Sequence, residues 1–138
     1  MNSYRYEELK IGMCESFDVA VDEAAFSSFL EITGDINPLH NDRNYAEKKG
    51  HRDRVAFGML TSSYLSTLAG VYLPGKLSLI QSVEVKFLKP VILGEKLRVS
   101  GEIVDMNDSV KRIELRVIIT NEDKVKVLKG RMQVLLDE

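Results

Sequence analysis

The chain has one cysteine (Cys14), no tryptophan, three prolines and two histidines (His40 and His51). A single cysteine excludes an intramolecular disulfide and a cysteine-based zinc site. Two histidines are poor material for a histidine-rich metal centre. No metal or redox cofactor is implied. An excess of either charge is also missing. Nineteen Lys and Arg stand against 21 Asp and Glu, a net charge of −2. That balance leaves no basic stripe of the kind that tracks nucleic acid. The stretch Met1–Glu8 has no apolar signal core, so a cytoplasmic location is expected. One long uncharged run, Val55 to Gly75, is long enough to suggest a membrane span. Thr61, Ser62, Ser63, Ser66 and Thr67 dilute it, and Gly58, Gly70 and Pro74 interrupt it. A helix buried on most sides of a soluble domain explains the run better.

What is present suits one domain. The length is 138 residues and 44% of them are hydrophobic, enough for a core. Residues 16–21 alternate like a strand. Asp22 is a good N-cap, and Ala25, Phe26, Phe29, Leu30 and Ile32 give the next helix an apolar side. Gly34 suits its end. Asn37-Pro38 reads as a cap followed by a first helical residue. Residues 44–49 fit another helical turn closed by Gly50, and His51–Arg54 reads as an exposed charged loop. The uncharged helix should start near Gly58 and stop before Pro74, with Leu60, Tyr64, Leu68 and Val71 at helical spacing. Beyond Gly75 the period changes to two, through Val83, Val85 and Phe87, then Leu97 and Val99, then Ile113, Leu115, Val117 and Ile119. Val125, Val127, Met132, Val134 and Leu136 close the series, with Gly130 at a possible bulge. Asn107-Asp108-Ser109 and Asn121-Glu122-Asp123 are turn sequences. Antiparallel strands after one buried helix imply an α+β domain with a sheet wrapped around that helix.

The chemistry concentrates in Thr33-Gly34-Asp35-Ile36-Asn37-Pro38-Leu39-His40. A carboxylate, a carboxamide and an imidazole fall within six positions. On a continuous helix Asp35 and His40 would face apart, because five residues advance ~500°. Gly34 and Pro38 disfavour that helix, and a bent segment can aim both groups at one point. A base, an acid and a positioning amide around one water form the equipment of general acid–base catalysis. Taken singly, each residue also has a plainer reading. An Asp after Gly often bonds its own turn. A histidine beside Pro38 and Leu39 suits a half-buried structural position. Asn37 either caps a turn or orients the pair.

The segment Gly34–His40 resembles the hydratase signature of MaoC-like (R)-specific enoyl-CoA hydratases. Phe57-Gly58-Met59-Leu60 matches a second block at the expected distance, and the resemblance covers nearly the whole chain. It implies a hotdog fold and the addition of water to a trans-2-enoyl-CoA. Asp35 and His40 would be the catalytic pair, helped by Asn37, with Gly58 supplying an oxyanion-hole N–H. Phe57 stands where many relatives have His, so a polar contact from that position is lost. Ser66 falls where relatives place a serine near the pair or the acyl pocket; its plainer reading is a bond to the preceding helical turn. Lys86 and Lys89 either contact the pantetheine or phosphates of coenzyme A or simply face solvent. The implied partners are an acyl-CoA thioester, with acyl-carrier protein as an alternative donor, and a second copy in a homodimer with the site near the interface. Nucleic acid and membrane are not expected partners.

Three rivals remain at this stage. A hotdog thioesterase often carries a carboxylate on the central helix, and residues 55–75 contain none. A bacterial fatty-acid type dehydratase would show a His-Phe-Pro-type motif, which is missing. A non-catalytic acyl-CoA-binding or regulatory hotdog module need not keep Asp35 and His40 together.

Overall fold

The computed structural model describes all 138 residues. Strand β1 (Cys14–Ala20) leads into helix α1 (Glu23–Thr33), the short helices α2 (Pro38–Asn41) and α3 (Arg43–Lys48), and helix α4 (Gly58–Thr67). Leu68–Tyr72 continues α4 as a π-helical turn. Four strands follow: β2 (Ser78–Phe87), β3 (Lys96–Asn107), β4 (Arg112–Thr120) and β5 (Lys126–Leu136). They join β1 in one antiparallel sheet of order β1-β3-β4-β5-β2. This is the hotdog arrangement, a sheet curled around a central helix.

Local chemistry explains most of the boundaries. Asp22 accepts a hydrogen bond from the Ala25 N–H at 2.9 Å and starts α1. Gly34 ends it with φ 69°, a left-handed conformation that favours glycine. The Asn107 and Asn121 side chains accept from Ser109 and Asp123 N–H groups, closing the two expected turns.

The period-two pattern puts one face of the sheet inside. Leu97, Val99 and Ile103, the β4 series Ile113, Leu115, Val117 and Ile119, and Met132 and Val134 are all at most 1% exposed. Leu65, Leu68, Ala69 and Leu73 pack into that curl. Each large apolar side chain so buried contributes roughly 1.5–3 kcal/mol. The helix can lie this close because β3 carries Gly101, where an added Cβ would stand 2.8 Å from Leu68 Cδ2. No helix is long and apolar enough to cross a membrane.

Three local expectations need correction. The pairing of β5 with β2 and β4 runs unshifted through Gly130, opposite Val85 and Val117. Gly130 is a point of close strand approach and not a bulge, since a Cβ there would meet the Glu84 carbonyl oxygen at 2.0 Å. The 51–54 loop is pinned at one end. Arg54 pairs with Glu23 and lies over the Phe26 ring, 5.2 Å from its centroid, which leaves its side chain only 17% exposed. The first strand starts two residues earlier than its alternation suggested, at Cys14.

β2 stands at an edge of the sheet, and most of its residues are exposed. Leu79, Ile80, Val83 and Phe87 on it, and Leu88 just beyond, all present apolar surface to solvent.

Candidate active site

The site begins with how the chain turns after α1. Thr33 Oγ1 donates to the Phe29 carbonyl and accepts from the Asp35 N–H at 3.3 Å. Asp35 Oδ1 then accepts from the Asn37 N–H at 3.1 Å, an Asx turn. Asn37 Oδ1 accepts from the Leu39 N–H at 2.9 Å and caps α2, with Pro38 as first helical residue. Asn41 Nδ2 donates to the carbonyls of Asp35 and Asn37, at 3.2 and 2.9 Å, and ties the bend shut.

This local network fixes one carboxylate oxygen and frees the other. Asp35 Oδ2 lies 3.9 Å from His40 Nε2. The opposite ring nitrogen, His40 Nδ1, is 2.7 Å from the Val55 carbonyl oxygen. A carbonyl only accepts, so Nδ1 carries the hydrogen and Nε2 of the neutral ring is left as an acceptor. Two acceptors therefore face each other across a gap too long for a direct hydrogen bond. A water about 2.8 Å from each could donate one hydrogen to Asp35 Oδ2 and the other to His40 Nε2. The His40 side chain is 14% exposed and that of Asp35 43%, so the imidazole forms the wall and the carboxylate the open side.

His40 is held from below by aromatic rings. Its centroid is 4.3 Å from that of Phe57, which in turn lies 4.8 Å from Phe29 and 5.6 Å from Phe26. Phe57 is only 2% exposed. It also precedes the first residue of α4. The N–H groups of Gly58 and Met59, at that helix start, have no acceptor within the chain. They point out of a helix N-terminus, where partial positive charge collects. Gly58 is open only because it lacks a side chain: a Cβ would stand 3.3 Å from Phe87 Cε1.

Two cavities meet at Gly58. One, of about 350 Å³, is lined by His40, Thr61, Phe87, Lys89 and Val127 among others. The other, of about 520 Å³, runs past Asp35, Phe29, Phe57, Met59, Ser62 and Ser63. Asp35, His40, Phe57, Gly58 and Lys89 thus line these two cavities, while Asn37 lines neither and reaches the site only through its backbone N–H on Asp35. Ser66 and Lys86 also line neither. Ser66 is exposed and lines neither cavity. Ser66 shares a helix face with Ser62 and Ser63 but stands one turn, about 5.4 Å, further along the axis, beyond the cavity that those two line. Lys86 points to the opposite face of the sheet from its neighbour Phe87. The Val55 carbonyl, Asn41 and Thr61 were missed from the sequence. Only Asn41 had a legible signal, its position four residues after Asn37 on a capped turn. No group of three or more His, Cys, Asp and Glu side chains is gathered for a metal ion.

Known proteins resemble the chain in sequence and in fold. The chain is 30% identical over 129 residues to the 3-hydroxybutyryl-CoA dehydratase of Methylorubrum extorquens, covering 94% of this chain and 82% of that protein. It is 27% identical over 131 residues to the (R)-specific enoyl-CoA hydratase of Rhodospirillum rubrum, covering 95% and 90%. Among solved structures, the unliganded R-hydratase PhaJ1 of Pseudomonas aeruginosa superposes with a TM-score of 0.91 at 27% identity, over 96% of this chain and 85% of that one. The (R)-hydratase from A. caviae gives 0.91 at 25% identity, over 94% and 98%. Residues 10–125 match the MaoC like domain, and the chain belongs to that family.

Proposed function

We propose that the protein is a hydro-lyase that adds water to a trans-2-enoyl-CoA, giving the (R)-3-hydroxyacyl-CoA, and runs the reverse dehydration. One observation carries this reading: Asp35 Oδ2 and His40 Nε2 are two hydrogen-bond acceptors 3.9 Å apart, close enough for one water to bond both. A water held there has both hydrogens engaged and a lone pair free for C3. As the C3–O bond forms, one of the pair takes a proton from the water. Electron density moves through C2 to the thioester carbonyl oxygen. The unpaired N–H groups of Gly58 and Met59 suit that developing charge, and one such donor is typically worth about 3–4 kcal/mol. A proton then returns to C2 from the pair, so the sum is addition of H and OH with no other reactant. Asn37 acts as a positioning residue, through its backbone N–H on Asp35 and its cap on α2.

The relatives support the reaction class, since their names describe hydration and dehydration of acyl thioesters. The thioesterase alternative lacks a nucleophile-activating carboxylate on α4, whose ten residues contain no acid. A second copy is the natural cover for the apolar edge of β2, because an open strand of this kind invites pairing.

The test is loss of enoyl-thioester absorbance with crotonyl-CoA and longer homologues, followed by chiral chromatography. With both groups on one bent segment, both additions should come from one side of the enoyl group, and the relatives' names point to the (R) isomer. A predominance of the (S) isomer, or a racemate formed at the enzymatic rate, would overturn the geometry.

A further inference from the structure

On the outer face of the sheet, charges are arranged in rows across the strands. Glu84, Arg131, Arg116 and Glu102 form one row of directly opposed residues. Its arginines are held by ion pairs: Arg116 bonds Glu102 at 2.6 Å, and Arg131 bonds Glu114 of the adjoining row at 3.1 Å. Another row pairs Arg98 with Asp18. The row between them is different. Lys86 stands directly opposite Lys129, and the next residues across are Ile118 and Ser100. Like charges directly opposed are destabilising. Two other like-charged pairs oppose each other in this sheet, Arg116/Arg131 and Asp105/Glu114, and each has at least one member held by a counter-ion. Lys86/Lys129 has none. Lys126, also without an ion pair, lines the same groove of about 430 Å³ together with Ile118, the ion-paired Arg116 and Arg131, and the carboxylate of Glu84.

This groove is continuous in sequence with the catalytic cleft. Phe87 and Val127 line the cleft, while their neighbours Lys86 and Lys126 line the groove. Because successive side chains of a strand point to opposite faces, the two cavities lie back to back across the β2–β5 pair at its open end. Lys89, exposed and lining the cleft, lies three residues beyond Lys86 at that end of β2. An excess of cations beside the side chain of Ile118 suits a heterocycle that carries phosphates.

We infer that the Lys86–Lys129 groove binds the adenosine 3′,5′-bisphosphate end of coenzyme A, with the base over Ile118 and the phosphates on Lys86, Lys126 and Lys129. This rests on the thioester reading above and specifies which carrier of the acyl group is recognised.

The first arm of the test needs no turnover. Adenosine 3′,5′-bisphosphate is titrated into the full chain by calorimetry. Saturable binding is expected, weakening by ~10-fold in Lys86→Ala/Lys129→Ala and with added salt. 5′-AMP, with one phosphate fewer, should bind ~10-fold more weakly. No saturable binding, or equal binding by the double variant, overturns the site. Equal binding of 5′-AMP overturns the assignment to coenzyme A in favour of a general nucleotide site. The second arm compares crotonyl-CoA with crotonyl-pantetheine, which lacks the phosphates. The ratio of their kcat/KM values should fall ~10-fold in Lys129→Ala and recover in Lys129→Arg. An unchanged ratio overturns the inference. So does a loss seen only with an acyl-carrier-protein thioester, which would make the groove a protein-docking surface. If the bisphosphate binds as expected while no thioester is hydrated, the catalytic reading fails and the groove stands.

Discussion

His40 Nδ1 donates to the Val55 carbonyl across 2.7 Å, and this one bond decides which nitrogen faces Asp35. It makes Nε2 an acceptor in the neutral ring and also holds the ring against rotation. Removing either member of the pair should therefore remove water binding and proton transfer together. Asp35→Asn and His40→Ala are each expected to lower hydration by about 10²–10⁴-fold. Both variants should keep the wild-type circular dichroism spectrum, because neither side chain belongs to the hydrophobic core. Near-wild-type turnover by either folded variant would dispose of the mechanism.

Asn37 should behave differently. Its side chain caps α2, whereas its contact with Asp35 is made by the backbone N–H. Asn37→Ser keeps a capping oxygen and should retain most activity. Asn37→Ala should cost about 1 kcal/mol of stability, read as a lower melting temperature. A fall in kcat from Asn37→Ser as deep as that from Asp35→Asn would show that the carboxamide itself meets the water.

Gly58 and Phe87 form a tight pair at the mouth of the cleft. A methyl at position 58 pushes on the Phe87 ring and crowds the space before the free N–H groups. Gly58→Ala should lower kcat/KM by ~10–10²-fold, the scale on which small misplacements act. Adding Phe87→Leu should return part of that loss. If the single variant is fully active, the thioester oxygen does not approach this helix start.

Light scattering should give a mass near twice 15.6 kDa at micromolar concentration. Val83→Lys, which places a charge on the apolar edge of β2, should shift the population towards monomer. A wild-type monomer with full activity would remove the dimer from the proposed function.

A pH effect is expected far from the catalytic groups. Burial, then the bond from Tyr6 Oη to Asp108 Oδ1 at 2.6 Å, then the negative charges of Asp108 and Asp105, raise Tyr6 from 10.0 to about 12. The unfolded chain loses this proton first. The contribution is thus fully present below pH 10.0 and is lost as pH rises towards about 12. Denaturant midpoints measured across that window should fall, and fall less in Tyr6→Phe. Identical alkaline profiles for the two proteins would contradict this.

Legibility followed the range of the interactions. Caps and turns act within a few residues, so Asp22, Asn37-Pro38 and Asn107 announced themselves by residue type. The inner face of β4 was equally plain, because alternation of Ile113, Leu115, Val117 and Ile119 leaves one solution. The partner of His40 was not legible. It is a backbone carbonyl 15 positions away, and any residue has one. The lining of the cleft by Ser62 and Ser63 in place of Ser66 depends on how far along α4 the cleft reaches, because all three share one helix face and sequence spacing does not fix the cleft's depth. Arg54 looked like solvent-facing charge because its Phe26 and Glu23 contacts come from α1, some 30 residues earlier in the chain.

The buried Phe57 beneath His40 has a practical consequence. The imidazole rests on the same aromatic layer that joins α1 to α4, so the reactive group has no hinge of its own. Heat should not silence this protein by loosening a loop while the body stays intact. Inactivation and melting should coincide on a temperature scale. Laboratory selection for a more heat-resistant core around Phe26, Phe29 and Phe57 would at the same time tune the angle at which the imidazole meets its water.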